Sequence, residues 1–296
     1  MKPIIRYIKD YFYEVNKIIL LAATMLTALL VFFNYYWGWN AAIDKQRTVT
    51  STFTLRYLLH AIAFIFPYLL YIILKNKRKP LLPFIFLLLL APVLFAFKAT
   101  VSFSFLAGDS EYWQHTIYWP IHFVILSSIL FFTWKLFDND QPFYGIKFKG
   151  INWKPYWLML LLMVPLIATA STQPDFLAMY PKIKTVTEGA DTTLWQKILF
   201  ELSYGSDFIS IELFFRGFLI LAFIKYAGKD AILPMACFYC TIHFGKPLGE
   251  CISSYFGGII LGVVVYHTRS ILGGLIVHLG IAWMMEIGGF IGNEFF

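Results

Sequence analysis

Charge is the scarcest commodity in this sequence. Only 14% of its 296 residues are Asp, Glu, Lys or Arg, where a soluble domain carries roughly 25%. A water-facing surface of ordinary size cannot be built from so few, which excludes a single soluble globular domain. Cysteine is also rare. Cys237, Cys240 and Cys251 are the only three, too few for a disulfide framework. No small-residue cleavage site follows the basic start (Lys2, Arg6, Lys9, Lys17), so the first apolar run reads as a retained helix and not a signal peptide. No internal repeat is visible, which argues against a solenoid.

Hydrophobic residues are abundant instead. They make up 59% of the chain, 20% of it is aromatic, and the mean hydropathy is +0.68. Long apolar runs separated by short polar connectors predict an all-α polytopic membrane protein, with about eight or nine membrane helices. The net charge is +7, but the basic residues sit in the connectors and form no nucleic-acid-binding face. Membrane lipid is the partner this composition suits.

Residues 1–17 predict an amphipathic lead-in helix, with Ile4, Ile5, Ile8, Phe12 and Val15 on one face. Spans are expected near 18–36, 57–74, 81–97, 117–136 and 156–172. A polar stretch follows over 173–196, then spans holding Glu212 and Arg216, at 231–244, at 252–266 and at 271–291. The strongest basic cluster, Lys75 to Pro80, follows the second span. The excess of Lys and Arg in alternate connectors predicts an N-terminus inside the cell, in a cell membrane of bacterial inner-membrane type. Residues 1–194 read as N-terminal membrane helices and 195–296 as a tightly packed core. Its glycines, Gly258-x-x-x-Gly262 among them, let helices approach closely.

Inside the core, Glu212 and Arg216 stand four residues apart in an apolar run. Each charge costs roughly 2.5–3.5 kcal/mol at the bilayer centre, so each needs a partner. One reading is a self-neutralised structural pair. The other is a functional site, because two histidines lie in apolar helices further on. His243 ends one span before a Gly/Pro turn bearing Lys246 and Glu250, and His278 lies within the last span without a polar neighbour in sequence. The four residues can be each other's partners. By the expected boundaries Glu212 lies near the start of its span and His243 near the end of the next, toward one face. His278 is expected one to two turns deeper. Cys237-x-x-Cys240-x-x-His243, with Cys251, has zinc-ligand types, but on a helix they spread apart, and packing thiols are the preferred reading. No metal and no cofactor is expected.

This constellation resembles the CPBP family, the CAAX prenyl proteases and bacterial Abi proteins. These are membrane-embedded, glutamate-dependent endopeptidases, so the resemblance implies a membrane-anchored or peptide substrate. The resemblance covers about residues 200–290. The family shows Glu-Glu-x-x-x-Arg, then Phe-x-x-x-His, then His-x-x-x-Asn or Asp. Glu212 and Arg216 match the second Glu and the Arg, Tyr239-x-x-x-His243 matches the second motif, and His278 matches the third. Ile211 stands where the family has its first, water-activating glutamate, and Ala282 where it has the last Asn or Asp. The resemblance thus implies catalytic roles for Glu212, Arg216, His243 and His278. Glu250 or Asp207 is the substitute acid, with Asp207, Tyr239 and Lys246 in support. The alternatives from other classes are a catalytically lapsed scaffold that binds a peptide or membrane partner, and a transporter. The transporter lacks support because no paired broken helices recur in the two halves.

Overall fold

The computed structural model describes residues 2–75, 82–148, 150–187 and 192–295. Residues 76–80 of the basic cluster and Lys149 lie outside these. Among the described residues every regular element is helical. In order they are α1 (Lys2–Glu14), α2 (Lys17–Trp37), α3 (Trp39–Asp44), α4 (Val49–Leu74), α5 (Leu82–Thr100), α6 (Glu111–Phe137), α7 (Lys154–Ala170), α8 (Pro174–Leu177) and α9 (Lys182–Val186). Then come α10 (Leu194–Ile211), α11 (Ile224–Ala227), α12 (Ile232–Thr241), α13 (Leu248–Thr268) and α14 (Leu272–Phe295). Between α10 and α11 the chain is π-helical over Glu212–Ala222.

Six of these helices, α2, α4, α5, α6, α13 and α14, are long and apolar enough to cross a membrane, and α7 is a shorter apolar helix. The protein is therefore a polytopic α-helical membrane protein. Its helix ends follow local chemistry. Asn16 caps α2 by accepting from the backbone N–H groups of Ile18 and Ile19. Thr193 and Gln196 form a reciprocal capping box at the start of α10. Pro67, Pro92, Pro120 and Pro165 lie inside helices, as membrane helices tolerate where neighbours re-satisfy the backbone.

Several boundaries differ from the sequence expectation. The second span starts at Val49, eight residues before 57, because Thr48 provides its N-cap. The lead-in helix buries Ile4, Tyr11 and Val15, while Ile5 and Phe12 are exposed. Its buried stripe lies against α13, where Tyr7 stacks on His267 at 4.3 Å. The polar stretch after α7 is not a loose connector. Its segment α8–α9 docks on the end of α14, where Asn293 Nδ2 donates to the carbonyls of Leu177 (3.3 Å) and Tyr180 (2.8 Å).

At the centre sits α12, all ten of whose residues are buried. It packs against α2, α4, α13 and the π segment. Phe238 on α12 meets Phe64 from α4, Phe95 from α5, and Phe214 and Phe215 from the π segment, with ring centroids 5.2–5.9 Å apart. In lipid these contacts gain little from the hydrophobic effect. Close packing and interhelical hydrogen bonds hold the helices together. Gly262 on α13 lets α12 come close, since a Cβ there would meet Met235 Cε at 2.8 Å.

Candidate active site

The expectation that Glu212 lies near the start of its span is corrected by the continuity of α10 with the π segment. Eighteen residues of helix precede Glu212, about 27 Å at 1.5 Å per residue. Depth then matches His278, which follows the start of α14 by fewer than two turns on an antiparallel course. The π geometry fits its location, since wide turns of this kind occur mostly at functional sites.

Glu212 and Arg216 are almost fully shielded, with side-chain exposures of 0% and 1%. Their ion pair spans 3.3 Å between Arg216 Nη1 and Glu212 Oε1. The same Oε1 lies 2.9 Å from His278 Nδ1. His278 Nε2 in turn lies 3.0 Å from the Tyr239 hydroxyl. The Arg216 guanidinium stacks on the Tyr239 ring, 3.9 Å from its centroid. Carboxylate, imidazole, phenol and guanidinium thus form one closed cluster drawn from the π segment, α12 and α14.

A carboxylate oxygen accepts, so His278 Nδ1–H donates to Glu212 Oε1, and with the proton on Nδ1 the Nε2 lone pair accepts the Tyr239 O–H. The carboxylate fits because Gly274 on α14 has no side chain. A Cβ there would meet Glu212 Oε2 at 2.9 Å.

His243 stands on the other side of Tyr239, with ring centroids 4.7 Å apart. Its Nδ1 lies 3.0 Å from the Tyr239 backbone carbonyl. A carbonyl only accepts, so Nδ1 carries the proton and Nε2 keeps its lone pair. The turn after α12 is anchored by the first span. Asn34 Nδ2 donates to the Phe244 carbonyl (2.9 Å), and the Tyr35 hydroxyl to the Lys246 carbonyl (2.5 Å). His60 on α4 adds a bond to Thr241 Oγ1 at 2.9 Å.

The two substitute acids are both engaged elsewhere. Asp207 pairs with Lys98 on α5 at 2.8 Å. Glu250 receives the Tyr180 hydroxyl at 3.1 Å on each oxygen and pairs with Lys246 at 3.4 Å. Lys246 also donates to the Tyr180 oxygen at 2.6 Å. Among the described residues no hydrogen bond joins Glu250 to His243. Ile211 is half-buried against the main apolar core, and Ala282 is buried against Tyr204 and Phe208. Cys240 and Cys251 face each other as free thiols 3.8 Å apart, while Cys237 reaches the Ala23 carbonyl. Among the described residues no cluster of metal-ligand type occurs.

Sequence reasoning missed three participants. Lys98 lies at the end of an otherwise uncharged helix, and its isolation was the available signal. Tyr180 comes from the stretch read as a connector. Glu286, two turns beyond His278, accepts from the Lys182 backbone N–H at 2.8 Å and is 3% exposed. Burial, and second the neighbouring Lys246, lower the Lys182 amine to about 7. As the sole acid in a long apolar stretch of α14, Glu286 is another intramembrane charge, and that isolation is its signal in the sequence.

The comparisons bear on this region. Residues 197–284, less than a third of the chain, match the family model described as type II CAAX prenyl endopeptidase Rce1-like. No curated protein and no solved structure matches the chain. The matched segment runs from α10 to α14 and contains Glu212, Arg216, Tyr239, His243 and His278. Over residues 197–284 this multi-pass membrane protein is thus similar to the type II CAAX prenyl endopeptidase (Rce1-like) family, which supports the CPBP resemblance of its C-terminal region.

Proposed function

We propose that the protein is a membrane-embedded endopeptidase in which Glu212 is the indispensable carboxylate and His243 the proton acceptor. The observation that carries this is the continuous chain Glu212–His278–Tyr239 beside a histidine whose Nε2 lone pair is uncommitted to the backbone. In this reading His243 Nε2 takes a proton from water as the water attacks the scissile carbonyl. The proton on the line between Tyr239 and His278 turns to the developing oxyanion, a contribution of several kcal/mol when well aimed. Arg216 pairs with Glu212 and braces the Tyr239 ring. Glu250, in the first turn of α13, is the acid that follows His243 across the Gly/Pro turn. A membrane-anchored peptide is the substrate class, in a cell membrane.

The second reading is a lapsed enzyme that keeps the scaffold to hold a peptide or a membrane partner. A specific observation favours it. Ile211 cannot bind a proton, and Asp207 and Glu250 both have cationic or phenolic partners. Cleavage of a membrane-anchored peptide by the purified Glu250→Gln variant separates the roles. A large loss supports Glu250 as an electrostatic partner of His243. Full activity assigns the work to Glu212, His243 and His278 alone.

A further inference from the structure

The segment carrying α8 and α9 crosses from α14 to the turn that bears His243. Its hold on α14 is polar and close. Asn293 Nδ2 donates to the carbonyls of Leu177 (3.3 Å) and Tyr180 (2.8 Å), and Glu286 accepts from the Lys182 N–H at 2.8 Å. Gly289 lets the segment approach, since a Cβ there would meet the Tyr180 carbonyl carbon at 2.5 Å. Ile183 and Val186 then pack in one cluster with Phe208 and Ala282. Phe208 in turn meets the His278 ring, with centroids 4.8 Å apart. The segment is therefore a strap along the α10–α14 wall of the site.

On the opposite wall the strap makes one contact, through Tyr180. Its hydroxyl donates to Glu250, 3.1 Å from each carboxylate oxygen, and accepts from Lys246 Nζ at 2.6 Å. Lys246 Nζ also stands over the Tyr180 ring, 4.8 Å from its centroid. One hydrogen-bonded turn fixes Lys246 to His243, whose carbonyl accepts the Lys246 N–H at 3.0 Å. The side chains of Lys246 and Glu250 remain 21% and 19% exposed, and His243 is half-buried. Lys246 and Glu250 thus belong to a reachable edge of the site, and the buried Tyr180 is the side chain packed into it.

The chemistry of that edge is specific. An ammonium only donates and a carboxylate only accepts. Here the two stand 3.4 Å apart on neighbouring turns of chain. A group that bridges them must offer an acceptor and a donor together. The Tyr180 hydroxyl does so with one atom. A peptide group does so with its C=O and its N–H, and it is the group that every peptide brings.

We propose that Lys246 and Glu250 bind a backbone peptide group of the substrate beside His243, and that Tyr180 occupies this place until a peptide displaces it. Lys246 donates to the peptide C=O, and Glu250 accepts from its N–H. No covalent bond changes. Tyr180 is a competitor tethered within the chain, so the apparent affinity for a peptide falls with the fraction of molecules in which the strap is lifted. The inference rests on the proposed function only in that a peptide enters beside His243, which the hydrolase and the lapsed scaffold share.

The test uses the full-length His243→Ala protein in liposomes, so that binding is read without cleavage. A pool of membrane-anchored peptides is offered, and the member recovered most with the protein is identified by mass spectrometry and titrated. Tyr180→Phe keeps the ring and loses both polar contacts, and should bind that peptide severalfold more tightly. Asn293→Ala loosens the strap without touching Lys246 or Glu250, and should shift binding in the same direction; it decides the matter if Tyr180→Phe does not fold. Lys246→Met should bind severalfold more weakly. Peptide binding should also speed hydrogen–deuterium exchange of the amides at 174–187, since a lifted strap loses its protection. A purely structural Tyr180 would lower the melting temperature and leave affinity unchanged. The proposal is overturned if the folded strap variants bind no more tightly than their parent, if Lys246→Met binds as the parent does, if peptide leaves strap exchange unchanged or slower, or if no peptide is recovered. Hydrolysis is judged separately, on the wild type. Peptides bound but never cleaved would sink the hydrolase and leave this inference standing, whereas cleavage with no strap effect would sink this inference alone.

Discussion

His278 Nδ1 lies 2.9 Å from Glu212 Oε1, and the residues are 66 positions apart. The bond fastens the last helix to the π segment through two side chains that lipid would not tolerate alone. Removing either end of this cluster leaves a charge without a counter-charge at membrane depth. Glu212→Gln and Arg216→Ala should each cost roughly 3–5 kcal/mol of stability. Thermal unfolding in detergent measures it. Wild-type melting of either variant would show that the pair is incidental.

Tyr239→Phe is a gentler probe. The ring remains, so Arg216 keeps its stacking partner, and only the bond to His278 Nε2 is lost. Stability should fall by about 1 kcal/mol. Peptide cleavage should fall by about 10²–10³ in kcat, as for a lost oxyanion donor, with KM little changed. A proportional fall in both stability and folded yield, with kcat per folded molecule intact, would assign the hydroxyl a purely structural role.

Asp207 belongs to a different element of the design. Its ion pair with Lys98 ties α10 to α5, and both side chains are buried. Asp207→Asn should therefore lower the melting temperature and leave turnover per folded molecule less affected than His243→Ala does. The double variant Asp207→Asn with Lys98→Met should recover much of the lost stability, since removing both partners spares the buried charge. If Asp207→Asn abolished turnover at unchanged stability, Asp207 would be the acid of the reaction.

The docked segment α8–α9 should carry a pH signature. Lys182 binds its proton less tightly in the folded protein, near 7, than in the unfolded chain, near its ordinary 10.5. Between these values the unfolded state holds more protons, so stability rises with pH. Below pH 7 both states are protonated and the cost of burying the charge is fully present. The melting temperature should therefore climb from pH 7 toward pH 10, and Lys182→Met should flatten that climb. A wild type whose stability falls over this range would contradict the assignment.

The sequence was most legible where lipid punishes error. Glu212, Arg216 and His278 stood out because a charge or a bare imidazole in an apolar run must find a partner. Their partners could be named without coordinates. Less legible was the helix carrying them. Ser203, Gly205, Ser206, Asp207 and Ser210 lower the hydropathy of α10, which hides its continuity with the π segment and with it the depth of Glu212. Tyr239 looked like a conservative replacement for Phe, and only the structure brings its hydroxyl to His278. The Tyr180 network was hidden for another reason. Its residues come from three distant segments, joined by packing on α14 that no local pattern encodes.

The central claim is that His243 and the Glu212–His278–Tyr239 chain make a working hydrolase despite Ile211. Purified wild type, His243→Ala and Ile211→Glu should be incubated in liposomes with a membrane-anchored peptide library, and the products read by mass spectrometry. The account expects cleavage by the wild type, none by His243→Ala, and no gain from Ile211→Glu. A silent wild type that gains cleavage on Ile211→Glu would contradict it and show a lapsed protease.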